Sequence, residues 1–284
     1  MTARRLPLFC DTALAERIER AEAEFIAKAS EAASRRAGAA GAAGFVIPIR
    51  GGVASFAAEG SPFNKVAGLG FDGVPSAAAL EEIEQAFTAR GAPAQIELAH
   101  LANPEIGALL TARGYRLTSF ENVLGMVLAD APQQVMPPGV EVRPSSDDEF
   151  GAWVGVVADG FAYPDTEGVP SHEEFPREVI ASAERDAAAA GVLRYLALRD
   201  GVIAGGASLR LTEGIAQLTG AATAPAHRRR GVQTALLLAR LTDAAAAGCD
   251  IAVVTTQPGS RSQRNVQRRG FDLLYTRAVL VKQP

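Results

Sequence analysis

Apolar residues recur along this chain with the two spacings of an α/β protein. Between residues 12 and 36 they repeat every three or four positions, which is typical of an amphipathic helix, and Asp11 or Thr12 can cap its start. Two short apolar runs follow, at residues 45–49 and 53–57, and an Arg-Gly-Gly turn joins them. The pattern therefore predicts a long first helix followed by a β-hairpin.

The rest of the first half alternates between strands and helices. A serine cap with acidic residues in the early turns opens one helix, and Asn103-Pro104 opens a shorter one. Glycine ends both. The predicted elements are a strand from Lys65 to Phe71, a helix from Ser76 to Arg90, a strand from Gln95 to Leu98, a helix from Asn103 to Arg113 and strand character from Leu117 to Leu128.

A proline-rich stretch, residues 131–139, reads as a linker, and the alternation resumes after it. A second hairpin signal, Arg199-Asp200-Gly201, joins two apolar runs. The predicted elements are a strand at 140–144, a helix after Ser145 or Ser146, a helix from Pro176 to Ala190, strands at 193–198, 202–211 and 215–223, a helix from Val232 to about Ala247, a strand at 250–256 and a short helix before Gly270.

The two halves resemble each other. Gly114 follows the helix-ending Gly91 by 23 residues, and Gly270 follows the helix-ending Gly248 by 22. The sequence around each second glycine is similar, Ala-Arg-Gly-Tyr in one half and Arg-Arg-Gly-Phe in the other, and we expect a hydrophobic hairpin after each. We interpret this as a tandem duplication, with one unit at residues 1–130 and the other at 140–284.

Composition narrows the class of protein. A chain of 284 residues that is 48% hydrophobic can bury two cores, and its net charge of −4 argues against a nucleic-acid partner. Cys10 and Cys249 lie far apart, so we expect no disulfide and a cytoplasmic location. The three histidines show no ligand spacing, so no metal site is expected. No apolar run is long enough for a signal peptide or a membrane span.

The most informative stretch is residues 226–241, where the predicted strand 215–223 ends and a helix begins. Three consecutive arginines precede Gly231, and an apolar helix follows. The first turn of a helix leaves backbone N–H groups without partners at the positive end of its dipole, and this combination suits a phosphate. The alternative is a solvated basic helix start without a ligand.

This stretch resembles the pyrophosphate loop of the GNAT superfamily, the acyl-CoA-dependent N-acetyltransferases. Their signature is Gln/Arg-x-x-Gly-x-Gly/Ala, and here Arg228 and Gly231 match it while Gln233 replaces the small last residue. The family also places an asparagine-bearing helix and a Gly-Phe pair after the next strand, and Asn265 and Gly270-Phe271 correspond to them.

The resemblance implies a fold and a coenzyme. The fold is α/β (α+β), with two GNAT-like units that each contain a mixed, mostly antiparallel sheet flanked by helices. The first unit is degenerate, because no arginine stands at the signature position and Asp72, Glu81 and Glu82 would oppose a pyrophosphate. The second would bind acetyl-CoA in a split of its sheet. The residues assigned to the coenzyme are Ala222, Thr223, Arg228, Arg229, Arg230, Gly231, Val232, Gln233, Thr234, Ser262 and Asn265.

The catalytic residues are less well marked. The strand before the arginines has no carboxylate that could serve as the base. Val266 stands at the position where the family usually has the tyrosine that serves as the acid. The acidic stretch 159–176 supplies candidates for the base, of which we select Glu173, since the family places this loop beside the acceptor. Ser262 and Tyr275 are candidates for the acid; the alternatives are a helix cap for Ser262 and a strand anchor for Tyr275. The other candidates for the base are Asp165, Glu167, His172 and Glu174, and Tyr163 could line the cleft.

The resemblance implies an N-acetyltransferase that moves an acetyl group from acetyl-CoA to the amine of a small molecule by direct attack in a ternary complex. One alternative is a CoA-binding module without catalysis, because the usual acid and base are missing. Another is acyl transfer to a hydroxyl, or transfer of a longer acyl group. We expect no nucleic-acid, membrane or metal partner, and a monomer or a homodimer.

Overall fold

The structure is a computed structural model that describes residues 6–38, 44–130, 135–162, 168–169 and 175–284. Its helices are α1 Thr12–Ala37, α2 Ala77–Thr88, α3 Glu105–Ala112, α4 Phe150–Ala162, α5 Arg177–Ala189, α6 Val232–Ala246 and α7 Arg261–Gln267. Its strands are β1 Phe45–Ile49, β2 Gly52–Phe56, β3 Lys65–Ala67, β4 Ala94–Ala99, β5 Arg116–Val127, β6 Val140–Pro144, β7 Val192–Arg199, β8 Val202–Thr212, β9 Ile215–Gln217, β10 Ala221–Thr223, β11 Ile251–Thr256 and β12 Asp272–Lys282.

Across the described ranges, the strands of both halves join in one twelve-stranded sheet. Their order is β1-β2-β3-β4-β12-β5-β11-β9-β8-β7-β6, and β10 pairs with β8 next to β9. Most neighbours are antiparallel, whereas β3 with β4 and β9 with β11 are parallel. The predicted α/β (α+β) class, with a mixed and mostly antiparallel sheet flanked by helices, is confirmed.

The two halves exchange their last strands. β12, from the end of the chain, lies between β4 and β5 of the first half, and β5 in turn pairs with β11 of the second half. The hairpins expected after Gly114 and Gly270 are therefore wrong, because each segment is a single long strand. Each strand pairs with the other one rather than folding back on itself, and this pairing unites the two halves.

Helix α1 covers the centre of the sheet on the face opposite α6. Asp11 caps it by accepting from the Leu14 amide at 2.8 Å, as one of the two predicted caps. Its apolar side packs on the middle strands through Ala15, Ile18 and Ala21. The core under α6 is separate. A helix of the first half thus covers strands of the second, so the first half contributes side chains to the middle of the sheet.

Two predicted strands are interrupted. The strand expected from Lys65 to Phe71 ends at Ala67, because Gly68 and Gly70 adopt positive φ angles of 72° and 103° that leave the extended region. The strand expected at 215–223 is divided into β9 and β10. The second break is followed by β10 and then by the arginines that mark the candidate site.

Candidate functional site

The arginine loop, residues 228–231, leads directly into helix α6. Gly231 is the N-cap with φ 83°, and it makes no side-chain capping bond. The first helical bond runs from the Ala235 amide to the Gly231 carbonyl, so the amides of Val232 to Thr234 have no acceptor within the helix. Arg228 is half-buried and donates to the Gly160 carbonyl of α4 at 3.4 Å. These donors form a positive helix mouth.

Gly231 is required at this position for two reasons. Its φ lies in the left-handed region, where a side chain is strained. A Cβ atom built there would also lie 2.5 Å from the Cβ of Pro137, which belongs to the linker. The linker therefore packs against the loop, and a substitution at Gly231 would test folding as well as ligand binding.

Several residues assigned to the coenzyme come together beside the helix mouth. The Asn265 side chain of α7 donates to Gln233 Oε1 at 2.5 Å, and Arg269 donates to Thr234 Oγ1 at 3.0 Å. Gln233 thus replaces the family's small residue with a side chain that links α6 to α7. Ser262 is exposed on α7, and it is Ser260 that caps this helix by accepting from the Gln263 amide. The capping alternative for Ser262 is therefore wrong.

The sheet opens next to the helix mouth. β9 pairs in parallel with β11 through Gln217, and the Leu218 amide then donates to the Val253 carbonyl at 2.8 Å. Beyond that bond the chain moves away from β11, and Ala222 and Thr223 pair with β8 instead. We call this opening between β10 and β11 the split. It corresponds to the opening expected from the resemblance, and Ala222 and Thr223 lie beside it.

A buried arginine on α6 holds the break between β9 and β10. Arg240 Nη1 donates to the carbonyls of Ser208 and Thr219 at 2.9 and 3.1 Å, and its Nε donates to Leu236 at 3.1 Å. Burial lowers the pKa of this guanidinium to about 10. Because it binds the carbonyl of Thr219, which lies within the break, Arg240 fixes the conformation that opens the sheet.

A cavity of about 250 Å³ lies at the split. Its lining comes from α1, from the break and from four strands, and it mixes apolar with charged side chains. We call it the central cavity. Its lining residues are Ile18, Glu22, Val123, Gln217, Leu218, Thr219, Gly220, Val253, Val254, Thr255 and Arg277.

A group of buried charges borders the central cavity. Arg277 of β12 is 2% exposed; its Nε donates to Glu19 Oε1 at 2.7 Å, and its Nη1 lies 3.8 Å from both Glu97 and Glu121. Lys65 forms an ion pair with Glu97. Loss of solvation, followed by the neighbouring Glu97, raises the pKa of Glu121. Carboxylates therefore outnumber cations in this group.

Tyr275 belongs to the same buried group. Its hydroxyl donates to Glu19 Oε1 at 2.7 Å, and its ring packs under α1. Burial, followed by the charge of Glu19, raises its pKa well above 10. A hydroxyl held in this way is a poor proton donor, so the geometry favours the strand anchor over the acid.

Glu22 is the carboxylate that reaches the central cavity, and the sequence analysis missed it. It accepts from Gln217 Nε2 at 3.0 Å, and burial raises its pKa, with Arg277 acting in the opposite direction. A signal was present, since Glu19 and Glu22 interrupt the apolar side of α1 next to Ile18. The predicted base Glu173 lies outside the described residues, as do Tyr163, Asp165, Glu167, His172 and Glu174.

The described residues contain neither a candidate metal site nor a candidate membrane-spanning helix. Among them, no three histidine, cysteine or acidic side chains are grouped as a metal ion would require. Nor does any helix in these ranges have the length and apolar character needed to cross a bilayer.

Comparison with known proteins finds a match to one family model and a similar fold among solved structures. Residues 161–271 match the model of the acetyltransferase (GNAT) family. The fold is similar to a GCN5-related N-acetyltransferase from Kribbella flavida, at 23% identity over 90% of this chain and 95% of that one, with a TM-score of 0.63. It is also similar to a tandem GNAT protein from the clavulanic acid biosynthesis pathway, at 13% identity over 98% and 97%, with a TM-score of 0.57. No curated protein matches the sequence.

Proposed function

We propose that this chain, which contains an acetyltransferase (GNAT) family domain at residues 161–271 and has the fold of tandem GNAT proteins, moves an acetyl group from acetyl-CoA to the amine of a small molecule. The proposal is supported by three structural features that lie next to one another: a positive helix mouth, an opening in the sheet and a cavity behind it. Together they offer a place for a diphosphate, an extended arm and an acceptor.

The helix mouth fits the diphosphate of coenzyme A. The amides of the first turn of α6 point toward one place, and no side chain of the N-cap competes for them. Arg228 adds a forked cationic donor close to this turn, and the exposed Arg229 and Arg230 add positive charge. These are the donors that would hold two phosphates.

The split fits the amide-containing arm of the coenzyme. β10 pairs with β8, and its other edge borders the split, so its backbone groups could pair with an extended ligand. Ala222 and Thr223 would supply these groups. An N–H directed at the thioester carbonyl would also stabilise the developing oxyanion, an effect worth roughly 10²–10³ in rate.

The reaction requires two proton transfers, one from the acceptor amine and one to the departing thiolate. An alkylamine has a pKa of about 10, so it must lose a proton before it can attack the thioester carbon. The departing thiolate of coenzyme A then gains a proton. Ser262 on α7 remains a prediction as the donor to that sulfur.

The first half would then serve as a wall rather than as a second coenzyme site. A Cβ atom at Gly70 would lie 2.5 Å from Ile106 Cδ1, so the chain itself fills the turn that corresponds to the arginine loop. We therefore keep residues 1–130 as a degenerate unit, 131–139 as a linker and 140–284 as the coenzyme-binding unit, with β5 and β12 exchanged between the units.

The proposal is tested by measuring coenzyme binding and thiol release on the same preparation. We expect calorimetry to show binding of acetyl-CoA, and a panel of primary amines to release free thiol, with the acetylated amine identified by mass spectrometry. Binding without release above the rate of hydrolysis would identify a CoA-binding module. Release with matched alcohols but not amines would identify a hydroxyl acceptor.

Replacing Arg228 with alanine should weaken CoA binding about 10- to 100-fold at low salt, since a charge-assisted hydrogen bond contributes about 1.5–3 kcal/mol. The difference from the wild type should shrink as salt screens the phosphate charge. Calorimetry at two salt concentrations measures both effects.

Arg35→Ala is the matched control for this variant, because Arg35 is exposed on α1 and pairs with Glu31 in a surface ion pair at 3.9 Å. It should bind CoA as the wild type does. Equal dissociation constants for Arg228→Ala and Arg35→Ala at low salt would exclude a phosphate role for Arg228.

A further inference from the structure

We infer that the central cavity is the acceptor pocket, in which the carboxylate of Glu22 pairs with the primary ammonium of the acceptor and then removes its proton. The inference rests on the proposed transferase function and adds the substrate class, a small primary amine that is cationic in solution. It also assigns the first half a direct part in the reaction, because Glu22 lies on α1.

Strand alternation places this cavity on the face opposite the helix mouth. Ile215 and Val253 pack with α1, whereas their neighbours Ala216 and Ala252 pack with α6. Side chains on one strand alternate between the two faces, so Gln217 lies on the α1 face with Ile215. The coenzyme would then enter the split from one face of the sheet, and the acceptor would reach the thioester from the other face.

The charges around the cavity favour a cation. The carboxylates of α1, β4 and β5 face the two cations of β12 and β3 and outnumber them. When Glu22 is ionised, one negative charge remains in excess even with Glu121 protonated. The carboxylates are Glu19, Glu22, Glu97 and Glu121, and the cations are Arg277 and Lys65.

Glu22 differs from its acidic neighbours in the kind of partner it has. Glu19 is bound by the guanidinium of Arg277 and Glu97 by the ammonium of Lys65, whereas the hydrogen bond to Glu22 comes from the neutral amide of Gln217. A carboxylate with a neutral partner at a cavity wall offers the strongest attraction to an incoming ammonium.

The remaining walls set the size and character of the acceptor. Ile18, Val123 and Val253 line the cavity with apolar surface, while Thr219 and Thr255 add polar groups near the split. A volume of about 250 Å³ holds a small organic amine and not a folded protein segment. The site therefore suits a small molecule with a primary ammonium next to a short apolar body.

The reaction balances with Glu22 as the base. The acceptor ammonium gives one proton to the Glu22 carboxylate, and the freed lone pair of nitrogen forms a bond to the thioester carbon. The carbon–sulfur bond then breaks, and the second proton of the nitrogen passes to the departing thiolate by way of the Ser262 hydroxyl. The products are the acetylated amine and free coenzyme A, and Glu22 releases its proton to solvent.

The first test compares Glu22→Gln with Glu16→Gln, a control on the same helix whose carboxylate pairs with Arg20 at the surface. We expect Glu22→Gln to lower kcat/KM for the best amine by about 10²–10⁴ while the dissociation constant of CoA stays unchanged. In the wild type, kcat/KM should fall as the pH is lowered and Glu22 gains a proton. The midpoint of this fall should lie above the usual carboxyl pKa near 4.3. Glu22→Gln should lose this fall, and Glu16→Gln should retain it.

The second test does not depend on turnover. Thr255 lines the cavity, is exposed and is close in size to cysteine, so Thr255→Cys should fold normally. The new cysteine is reacted with two methanethiosulfonates, the cationic aminoethyl reagent and the anionic sulfonatoethyl reagent. Each rate constant is divided by the rate constant of a small free thiol with the same reagent. We expect the cationic reagent to be favoured, and adding Glu22→Gln should reduce that preference about fivefold.

The wild-type protein measures the background of this labelling. Burial raises the pKa of the Cys10 thiol to about 11 and also raises that of Cys249, so both should react slowly near neutral pH.

The outcomes separate the two proposals. If amines are acetylated and Glu22→Gln matches the wild type, the acceptor pocket is overturned and the transferase stands. If CoA binds, no amine is acetylated and the cation preference depends on Glu22, then the transferase fails while the ammonium pocket stands. A thiol introduced by Thr255→Cys that shows no cation preference overturns the pocket in either case.

Discussion

Replacing Arg277 with methionine should lower the free energy of unfolding by about 3–5 kcal/mol, because removing one partner of a buried ion pair leaves charge without compensation. Arg277 is 2% exposed, and three carboxylates surround it. Glu19, the nearest at 2.7 Å, is itself 1% exposed. With the guanidinium gone, Glu19 would keep only the Tyr275 hydroxyl as its partner in this group.

Urea denaturation followed by circular dichroism measures this loss. Arg35→Met, on the exposed side of α1, should change the stability by less than about 0.5 kcal/mol. Adding Glu19→Gln to Arg277→Met should restore part of the loss, since the second change removes the carboxylate left without a counter-charge. A loss below about 1 kcal/mol in Arg277→Met would mean that the buried charges are solvated.

The helix mouth could be predicted from sequence because it is a local structure. A glycine N-cap, adjacent arginines and an apolar helix lie within a few residues of one another, and the backbone geometry of such a turn depends mainly on those residues. The observed cap at Gly231 and the start of α6 at Val232 agree with the prediction. The same holds for the long first helix and for the hairpins β1–β2 and β7–β8, each of which has its turn signal in the local sequence.

The strand exchange could not be predicted in this way. Residues 117–128 and 272–282 both read as apolar strands, but the alternation of a strand does not specify its neighbour. We expected each to fold back as a hairpin, although neither contains an Asn-Gly or similar turn. Pairing between the two segments joins residues that lie far apart in sequence, such as Phe120 with Ala278, and is set by the whole sheet.

The chemistry of the central cavity was missed for a related reason. Glu22 lies on the first helix, Gln217 on β9 and Arg277 on β12, so nothing in their spacing connects them. The break that opens the cavity depends on Arg240, a residue of α6 that binds the Thr219 carbonyl from another layer. A charged residue on an otherwise apolar helix face, as at positions 22 and 240, is the sequence feature that indicates such a buried polar contact.

Gln233→Glu should lower the affinity for CoA by about 10² or more. A carboxylate about 5 Å from a phosphate costs about 3 kcal/mol at an effective dielectric constant near 20. The substitution is nearly isosteric, and the new carboxylate would still accept the hydrogen bond that Asn265 now donates to Gln233. A negative charge in the first turn also stabilises a helix, so the melting temperature should not fall.

This combination separates a binding effect from a folding effect, which a change at Gly231 cannot do because of Pro137 and the positive φ. Gln267→Glu, exposed on α7, is the matched control with the same change of charge and should bind CoA normally. Calorimetry gives the affinities, and thermal unfolding without ligand gives the stability. If Gln233→Glu is fully folded and binds CoA as tightly as Gln267→Glu, the diphosphate does not lie at the mouth of α6. The assignment of the coenzyme to this helix would then be wrong, and with it the order of helix mouth, split and cavity on which the acetyl transfer depends.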